Sequence, residues 1–335
     1  MKEIENYSLL AHNTFAIDAS CSRYVEYSSI EEARQVAVQL VEPFLIIGGG
    51  SNLLLTRDYE GTVVRSAIKG CEIVSQTDSE VLVRVGSGEE WDAIVAKFVE
   101  HGWHGAENLS LIPGDVGATA VQNIGAYGAE ACDIIKEVEM VRISTGEVVT
   151  VAAADCHYGY RQSRFKKEWK NSFLITHVTY CLQRSFHPQL DYGNILSELQ
   201  RRGIVQPTAA QLREVIISIR REKLPDPKVE GNAGSFFMNP VVSREKFESL
   251  LELYPQMPHY HVDEQHEKIP AGWMIDQCGW KGRTVGRAGV HARQALVLVN
   301  RGGATGREIV DLCDAIRKDV FDRFGIDIHP EVNII

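Results

Sequence analysis

Apolar positions along this chain recur with helical and strand spacings in turn, and the two patterns alternate from end to end. Ala33, Val36, Ala37 and Leu40 follow Ser29 and the acidic pair Glu31 and Glu32 at helical spacing, which predicts a capped helix that Pro43 ends. A second helix is predicted behind Ser87 and Glu90 as a capping box, with Trp91, Ile94, Val95, Phe98 and Val99 inward and Gly102 as its stop. A third runs from about Ala209 to Glu222, capped by Thr208 and Gln211, with Leu212, Val215, Ile216 and Ile219 on one face. Further helices are predicted around Phe247, Leu250, Leu251 and Tyr254, and near Trp273–Gln277. The last is capped by Thr305 and Glu308, buries Ile309, Leu312, Cys313, Ile316, Val320 and Phe324, and stops at Gly325. Phe44–Ile47 and Val81–Val85 read as strands. In the closing segment Ile326, Ile328, Val332 and Ile334 share one face, with Asp327, His329, Glu331 and Asn333 on the other. Pro330 cannot donate to a ladder, so an edge or bulge is predicted at Glu331. Between Tyr254 and Lys268, two prolines and a run of charges predict a polar loop.

A length of 335 residues suits two or three domains. The 44% hydrophobic and 24% charged fractions are those of a soluble globular protein, and no apolar run approaches bilayer length. The opening residues lack the apolar core of a signal peptide, so a cytoplasmic protein with no membrane partner is expected. Seven scattered cysteines without a Cys-x-x-Cys pair suggest neither a disulfide framework nor a zinc knuckle. His259, His261 and His266 fall in the polar stretch, and no metal site is expected from them. A formal charge of -10 argues against non-specific nucleic-acid binding, though a local cationic cluster could still hold a small anion.

Three segments carry candidate chemistry. Gly48, Gly49, Gly50, Ser51 and Asn52 lie between two apparent strands, whereas a dinucleotide-binding turn must open a helix. No Gly-Lys-Ser/Thr phosphate loop is present either, which leaves a hairpin or a backbone cradle for phosphate. The stretch from Asn108 to Gly128 is apolar and almost uncharged. Its glycines Gly114, Gly117, Gly125 and Gly128, with Gly105 nearby, suit backbone lying against a flat or phosphorylated ligand, with Gln122 and Asn123 for edge hydrogen bonds. A buried crossover on a sheet fits the same composition. In the third, Pro225 and Pro227 end the helix beside Lys223, and Gly231 and Gly234 place Ser235 on a turn. Its hydroxyl either faces a substrate or belongs to a surface loop that leads into Phe236 and Phe237.

Taken in order, several pieces resemble the UDP-N-acetylenolpyruvoylglucosamine reductase family. They are Gly48-Gly-Gly-Ser-Asn-Leu-Leu, Leu111-Ile-Pro-Gly, Gln122-Asn-Ile-Gly-Ala-Tyr-Gly, Tyr158-Gly-Tyr-Arg-Gln-Ser-Arg-Phe-Lys, Lys223-Leu-Pro-Asp-Pro, Gly231-Asn-Ala-Gly-Ser-Phe-Phe, Ala271-Gly-Trp-Met-Ile-Asp and Pro330-Glu-Val. The resemblance implies an α+β fold with a two-part FAD-binding domain of the vanillyl-alcohol oxidase type and a third, substrate-binding domain. Residues 1–69 would form the first FAD-binding part, completed by 209–224 and 326–335. Residues 70–208 would form the second, and 225–325 the substrate-binding domain.

The resemblance also implies non-covalent FAD, NADPH as co-substrate, and reduction of a nucleotide-sugar enolpyruvyl group during peptidoglycan precursor synthesis by a monomer. By the same carry-over, Arg161, Ser235 and Glu331 are the catalytic residues. Gly48, Gly49, Gly50, Ser51, Asn52, Pro113, Gly114, Gly117, Gln122, Asn123, Ile124, Gly125, Tyr127 and Gly128 would hold the cofactor. Tyr160, Tyr192, Lys223, Asn239, Tyr260 and Gln294 would bind substrate, with Tyr260 on a mobile loop. Ala120 stands where relatives often carry proline. An FAD-dependent sugar or alcohol oxidase of the same superfamily, and a catalytically silent nucleotide-sugar sensor, are the competing readings.

Overall fold

Ser29 caps its helix as predicted: its hydroxyl accepts from the Glu32 N–H at 3.1 Å, and Ile30–Gln39 follows. The computed structural model describes residues 1–335, which divide into two units. The first comprises residues 1–7, 21–49 and 60–222, and the second 8–20, 50–59 and 223–335.

In the first unit a four-stranded sheet runs in the order Lys2–Ser8, Ser20–Tyr27, Tyr59–Ser66, Phe44–Ile47, and its last pair is parallel. Ala33, Val36 and Ala37 of the first helix bury against Val25, Tyr27 and Val64 of this sheet. A five-stranded antiparallel sheet follows, in the order Val148–Ala152, Ile135–Arg142, Phe173–Gln183, Glu80–Gly86, Cys71–Gln76. Its central strand is buried along nearly its whole length. The helix Trp91–Glu100 packs Trp91 and Phe98 on Tyr180 of that strand, with ring centroids 5.4 and 5.8 Å away. Burial of Phe98 alone stabilises the fold by about 1.5–3 kcal/mol.

The capping box predicted for that helix does not form. The Ser87 hydroxyl is engaged instead by the Ile175 carbonyl at 2.8 Å and the Ser66 hydroxyl at 2.6 Å, partners that neighbouring strands bring to it. Glu90 occupies the cap position without a side-chain bond. At Thr208 the predicted box is present, with Gln211 N–H on the hydroxyl at 3.2 Å and Thr208 N–H on the Gln211 amide oxygen at 2.9 Å. The helix it opens, Ala209–Lys223, lays Leu212, Val215, Ile216 and Ile219 on Ile195 and Leu199. Arg213 pairs with Asp92 at 2.7 Å. Both contacts lie in the segment 70–208, which supplies the apolar partner that the helix's stripe requires.

The second unit is built on a sheet in the order Gly231–Asn232, Leu298–Asn300, Ala288–Val290, Thr284–Val285. The long helix Gly306–Phe324 has the predicted capping box of Thr305 and Glu308 and the predicted stop, Gly325 at φ +63°. The stretch predicted as a polar loop forms two strands, Tyr260–Asp263 and His266–Lys268, joined to Val241–Ser243. Glu267 turns inward there and is buried, accepting from His261 Nδ1 at 3.0 Å.

Residues 8–20 and 50–59 are structural members of this unit. Asn232 N–H donates to the Thr14 carbonyl at 2.9 Å, and the Asn300 amide donates to the Phe15 carbonyl at 2.9 Å. Leu53–Leu54 pairs in parallel with Asn333–Ile334, and Thr56 N–H donates to the Ile335 carbonyl at 2.8 Å. Gly306 packs against the Leu55 carbonyl with no room for a β-carbon. The closing segment alternates as predicted through Val332, but Ile334 is exposed. Around Pro330, which has no N–H, the chain forms an antiparallel bridge to Phe237 and then turns to its partner at Leu53.

Candidate functional site

In the first unit the two glycine runs, more than sixty positions apart, meet. A β-carbon on Gly49 would stand 3.1 Å from Gly114 Cα and 3.2 Å from Asp115 Oδ1, and one on Gly48 would stand 3.4 Å from Ala118 Cβ. The tight approach at Gly49 favours glycine, while the distance at Gly48 is an ordinary contact. The N–H groups of Gly49 and Gly114 donate to no protein acceptor, which suits a phosphate laid along this seam. Asp115 places a carboxylate at the same junction, and Arg65 pairs with it at 3.0 Å. Burial raises the pKa of Asp115 despite that pairing, and both effects reduce the negative charge an incoming anion would meet. The short helix Val116–Gln122 gives its first N–H groups to Glu89 and Ser87 carbonyls, so the seam differs from a dinucleotide turn that ends at an open helix terminus.

The remaining glycines have protein neighbours where a side chain would be. Gly50, at φ +66°, is pressed against the His12 carbonyl; Gly117 against Ser87; Gly125 against Arg161; and Gly128 against Tyr192. The Gln122 amide oxygen accepts from Lys166 Nζ at 3.3 Å. Asn123 is left-handed at φ 45°, and its side chain, expected to face a ligand, is fully engaged within the protein. Asn108 likewise holds the Tyr127 carbonyl at 2.8 Å.

Arg161 sits in a turn closed by reciprocal Gly159–Gln162 hydrogen bonds of 3.0 and 2.9 Å, in the left-handed region at φ 55°. Its guanidinium donates to the Gly125 carbonyl at 2.5 Å and to the Asn123 carbonyl at 3.3 Å, and lies 3.9 Å from Glu130. It also lies over the half-exposed Tyr160 ring, 5.2 Å from the centroid. The result is a largely buried planar cation with a fixed plane, of the kind that matches a carboxylate.

In the second unit Ser235 and Glu331, ninety-six positions apart, come onto adjoining backbone. The Glu331 N–H donates to the Phe236 carbonyl at 2.8 Å, beside the Phe237–Pro330 bridge. Ser235 is exposed on the predicted turn, after Gly234 at φ +69°. Asn232 fixes that turn by accepting from Gly234 N–H at 2.9 Å and donating to the Glu230 carbonyl at 2.8 Å. Asn52 donates to the Glu331 carbonyl at 3.3 Å, so this member of the first glycine run steadies the Glu331 backbone.

The predicted substrate residues divide between the units. Asn239 Oδ1 accepts from Ala271 N–H at 3.0 Å, at the start of the helix Ala271–Gln277. Gln294 Oε1 accepts from Leu296 N–H at 3.4 Å. Tyr260 is half-exposed on its strand, with Lys268 Nζ 5.7 Å from the ring centroid. Lys223 ends its helix as a half-buried cation. Tyr192 belongs to the first unit.

Arg220 is a residue that sequence reasoning missed. Its Nε donates to the Leu111 carbonyl at 3.2 Å, and burial holds its pKa below the ordinary arginine value. The available signal was Arg213 and Arg220, seven positions apart on the same side of the helix as Ile216.

An α+β unit with a glycine seam in place of a dinucleotide turn defines an FAD-binding class of fold, and residues 24–152 match the FAD binding domain family. The chain is a flavin-dependent oxidoreductase. Residues 226–335 match the family described as UDP-N-acetylenolpyruvoylglucosamine reductase, C-terminal domain. The chain is 55% identical to the UDP-N-acetylenolpyruvoylglucosamine reductase of Bacteroides fragilis, over 99% of each chain. It is 45% identical to that of Flavobacterium johnsoniae, over 98% of each. The crystal structure of the Thermus caldophilus enzyme superimposes with a TM-score of 0.69 at 20% identity, covering 99% of this chain and 98% of that one. The chain therefore belongs to the UDP-N-acetylenolpyruvoylglucosamine reductase (MurB) family, and the resemblance read from its motifs is borne out.

Proposed function

We propose that this protein reduces the enolpyruvyl group of UDP-N-acetylglucosamine enolpyruvate to give UDP-N-acetylmuramate, a cytoplasmic step of peptidoglycan precursor synthesis. The reductant is NADPH, and the enzyme acts as a monomer. The observation that carries this reading is the joining of the Ser235 turn to the Glu331 backbone, which puts a hydroxyl and a carboxylate on neighbouring chain. Non-covalent FAD supplies the hydride chemistry that no side chain possesses. Gly48, Gly49 and Gly114 would hold its diphosphate, and Ser51, Pro113, Ile124 and Tyr127 would add further cofactor contacts.

Hydride addition to one carbon of the double bond drives negative charge onto the other carbon and its carboxylate. Arg161 stabilises that charge as it develops, and loss of one such fixed donor costs about 100- to 1000-fold in rate. The Ser235 hydroxyl then gives its proton to the carbanionic carbon, since an enolate-type carbanion is basic enough to take it. Glu331 orients that hydroxyl. Tyr160, Tyr192, Lys223, Asn239, Tyr260 and Gln294 hold the nucleotide sugar, with Lys223 facing its anionic groups.

Anaerobic mixing tests the reading. NADPH should bleach the yellow absorbance of the purified protein, and the enolpyruvyl nucleotide sugar should restore it. Restoration by oxygen during turnover of a sugar alcohol, without NADPH, would instead assign the oxidase function.

A further inference from the structure

We propose that Asn123 is a positioning residue for Arg161, not a ligand of the cofactor. The inference rests on the reading of Arg161 as the cation that meets the substrate carboxylate. Asn123 holds two separate parts of the arginine's surroundings at once. Its main-chain carbonyl accepts from Arg161 Nη1 at 3.3 Å, while its side-chain amide donates to the Gly159 carbonyl at 3.0 Å, in the turn that carries Arg161. The other amide hydrogen goes to Glu130 Oε2 at 2.8 Å, and Oδ1 accepts from Cys132 N–H at 3.0 Å.

These bonds use both donors of the amide and engage its oxygen, and the residue is fully buried. Glu130 completes the arrangement: one oxygen accepts from Asn123 and the other lies 3.9 Å from Arg161 Nη1. The hairpin of Gly125–Ala126 with Ala129–Glu130 therefore presents its Gly125 carbonyl and the Glu130 carboxylate to one guanidinium, and Asn123 ties that hairpin to the arginine's own turn. The left-handed Arg161 backbone is held as well by the Gly159–Gln162 pair and by Lys166 Nζ, which donates to the Arg161 carbonyl at 3.0 Å, but these bonds leave the hairpin and the turn untied to each other. A misplacement of about 1 Å at a positioned group can cost on the order of 100-fold in rate.

The test uses Asn123→Gly, which keeps the left-handed backbone and its carbonyl, and Asn123→Asp, which keeps the oxygen but sets a like charge against Glu130. Three readouts are taken on each holoenzyme: the dissociation constant for FAD by fluorescence, the NADPH half-reaction and the substrate half-reaction. FAD affinity and the NADPH half-reaction should stay within about threefold of wild type, while the substrate half-reaction slows by about 10- to 100-fold. In an Arg161→Ala background, Asn123→Gly should have little further effect. Loss of FAD affinity with a normal substrate half-reaction would make Asn123 a cofactor ligand, and additive losses in the double variant would separate it from Arg161; either overturns the proposal. If Arg161→Ala alone leaves the substrate half-reaction intact, the assignment of Arg161 fails instead.

Discussion

Gly125→Ala should damage the reaction and weaken the fold as well. A β-carbon at this position would stand 2.7 Å from Arg161 Nη1 and 2.9 Å from the Ala129 carbonyl. An ordinary contact needs about 3.5 Å, so the guanidinium must retreat by about 0.8 Å. The Ala129 carbonyl must give way too, so the displacement is shared between the arginine and the hairpin. Overpacking of this kind costs about 1–3 kcal/mol of stability. The same shift moves the cation off the charge it must meet, and a drop of about 10- to 100-fold in the substrate half-reaction is expected. Stopped-flow recovery of the oxidised flavin spectrum reads that rate, and a urea titration of the holoenzyme reads stability. A substrate half-reaction within twofold of wild type would refute the reasoning, because the guanidinium's place would then not matter.

Ser235→Ala should leave the NADPH half-reaction intact and slow the substrate half-reaction by about 100-fold; equal slowing of both would remove Ser235 as the proton donor. His177 Nδ1 lies 2.9 Å from both Arg84 Nη2, which can only donate, and Glu139 Oε1, which can only accept. Burial, then the Arg84 charge, holds the histidine's pKa below the ordinary 6.5. The unfolded chain therefore takes up this proton first as pH falls, so the stability it contributes is complete above 6.5 and is lost below it. His177→Asn should flatten urea midpoints measured between about pH 5 and 7, and an unchanged slope there would refute the lowered pKa. Gly306→Ala drives a β-carbon into the Leu55 carbonyl and should cost at least about 2 kcal/mol by urea titration, and a loss below about 0.5 kcal/mol would contradict that packing.

Local chemistry was legible in the sequence where its partners were close by. The caps at Ser29, Thr208 and Thr305 each need an N–H only three residues on, and all three form. Ser87 shows the limit: the same local pattern lost to a carbonyl 88 positions away, which no local reading weighs. The stretch from Tyr260 to Lys268 was too polar to read as strands, because its buried member is a glutamate whose partner is a histidine within the same hairpin. Among the candidate site residues, the Ser235 turn followed from Gly231, Gly234 and the prolines before them. What Gly125 does was hidden, since the atom it makes room for belongs to an arginine 36 positions later.

The second unit draws its strand Leu53–Leu54 from the first sixth of the polypeptide and that strand's partner from the last three residues, with 279 positions between Thr56 and the carbonyl it meets. During synthesis, then, the early segment emerges from the ribosome long before its mate exists. It must wait, apolar and unpaired, until Asn333 and Ile334 have been made. The unit that carries Ser235 and Glu331 is thus completed only after residues nearly three hundred positions apart have both been made, and a fragment cut at the boundary of the matched C-terminal family, residue 226, would lack residues 8–20 and the strand Leu53–Leu54 that belong to it.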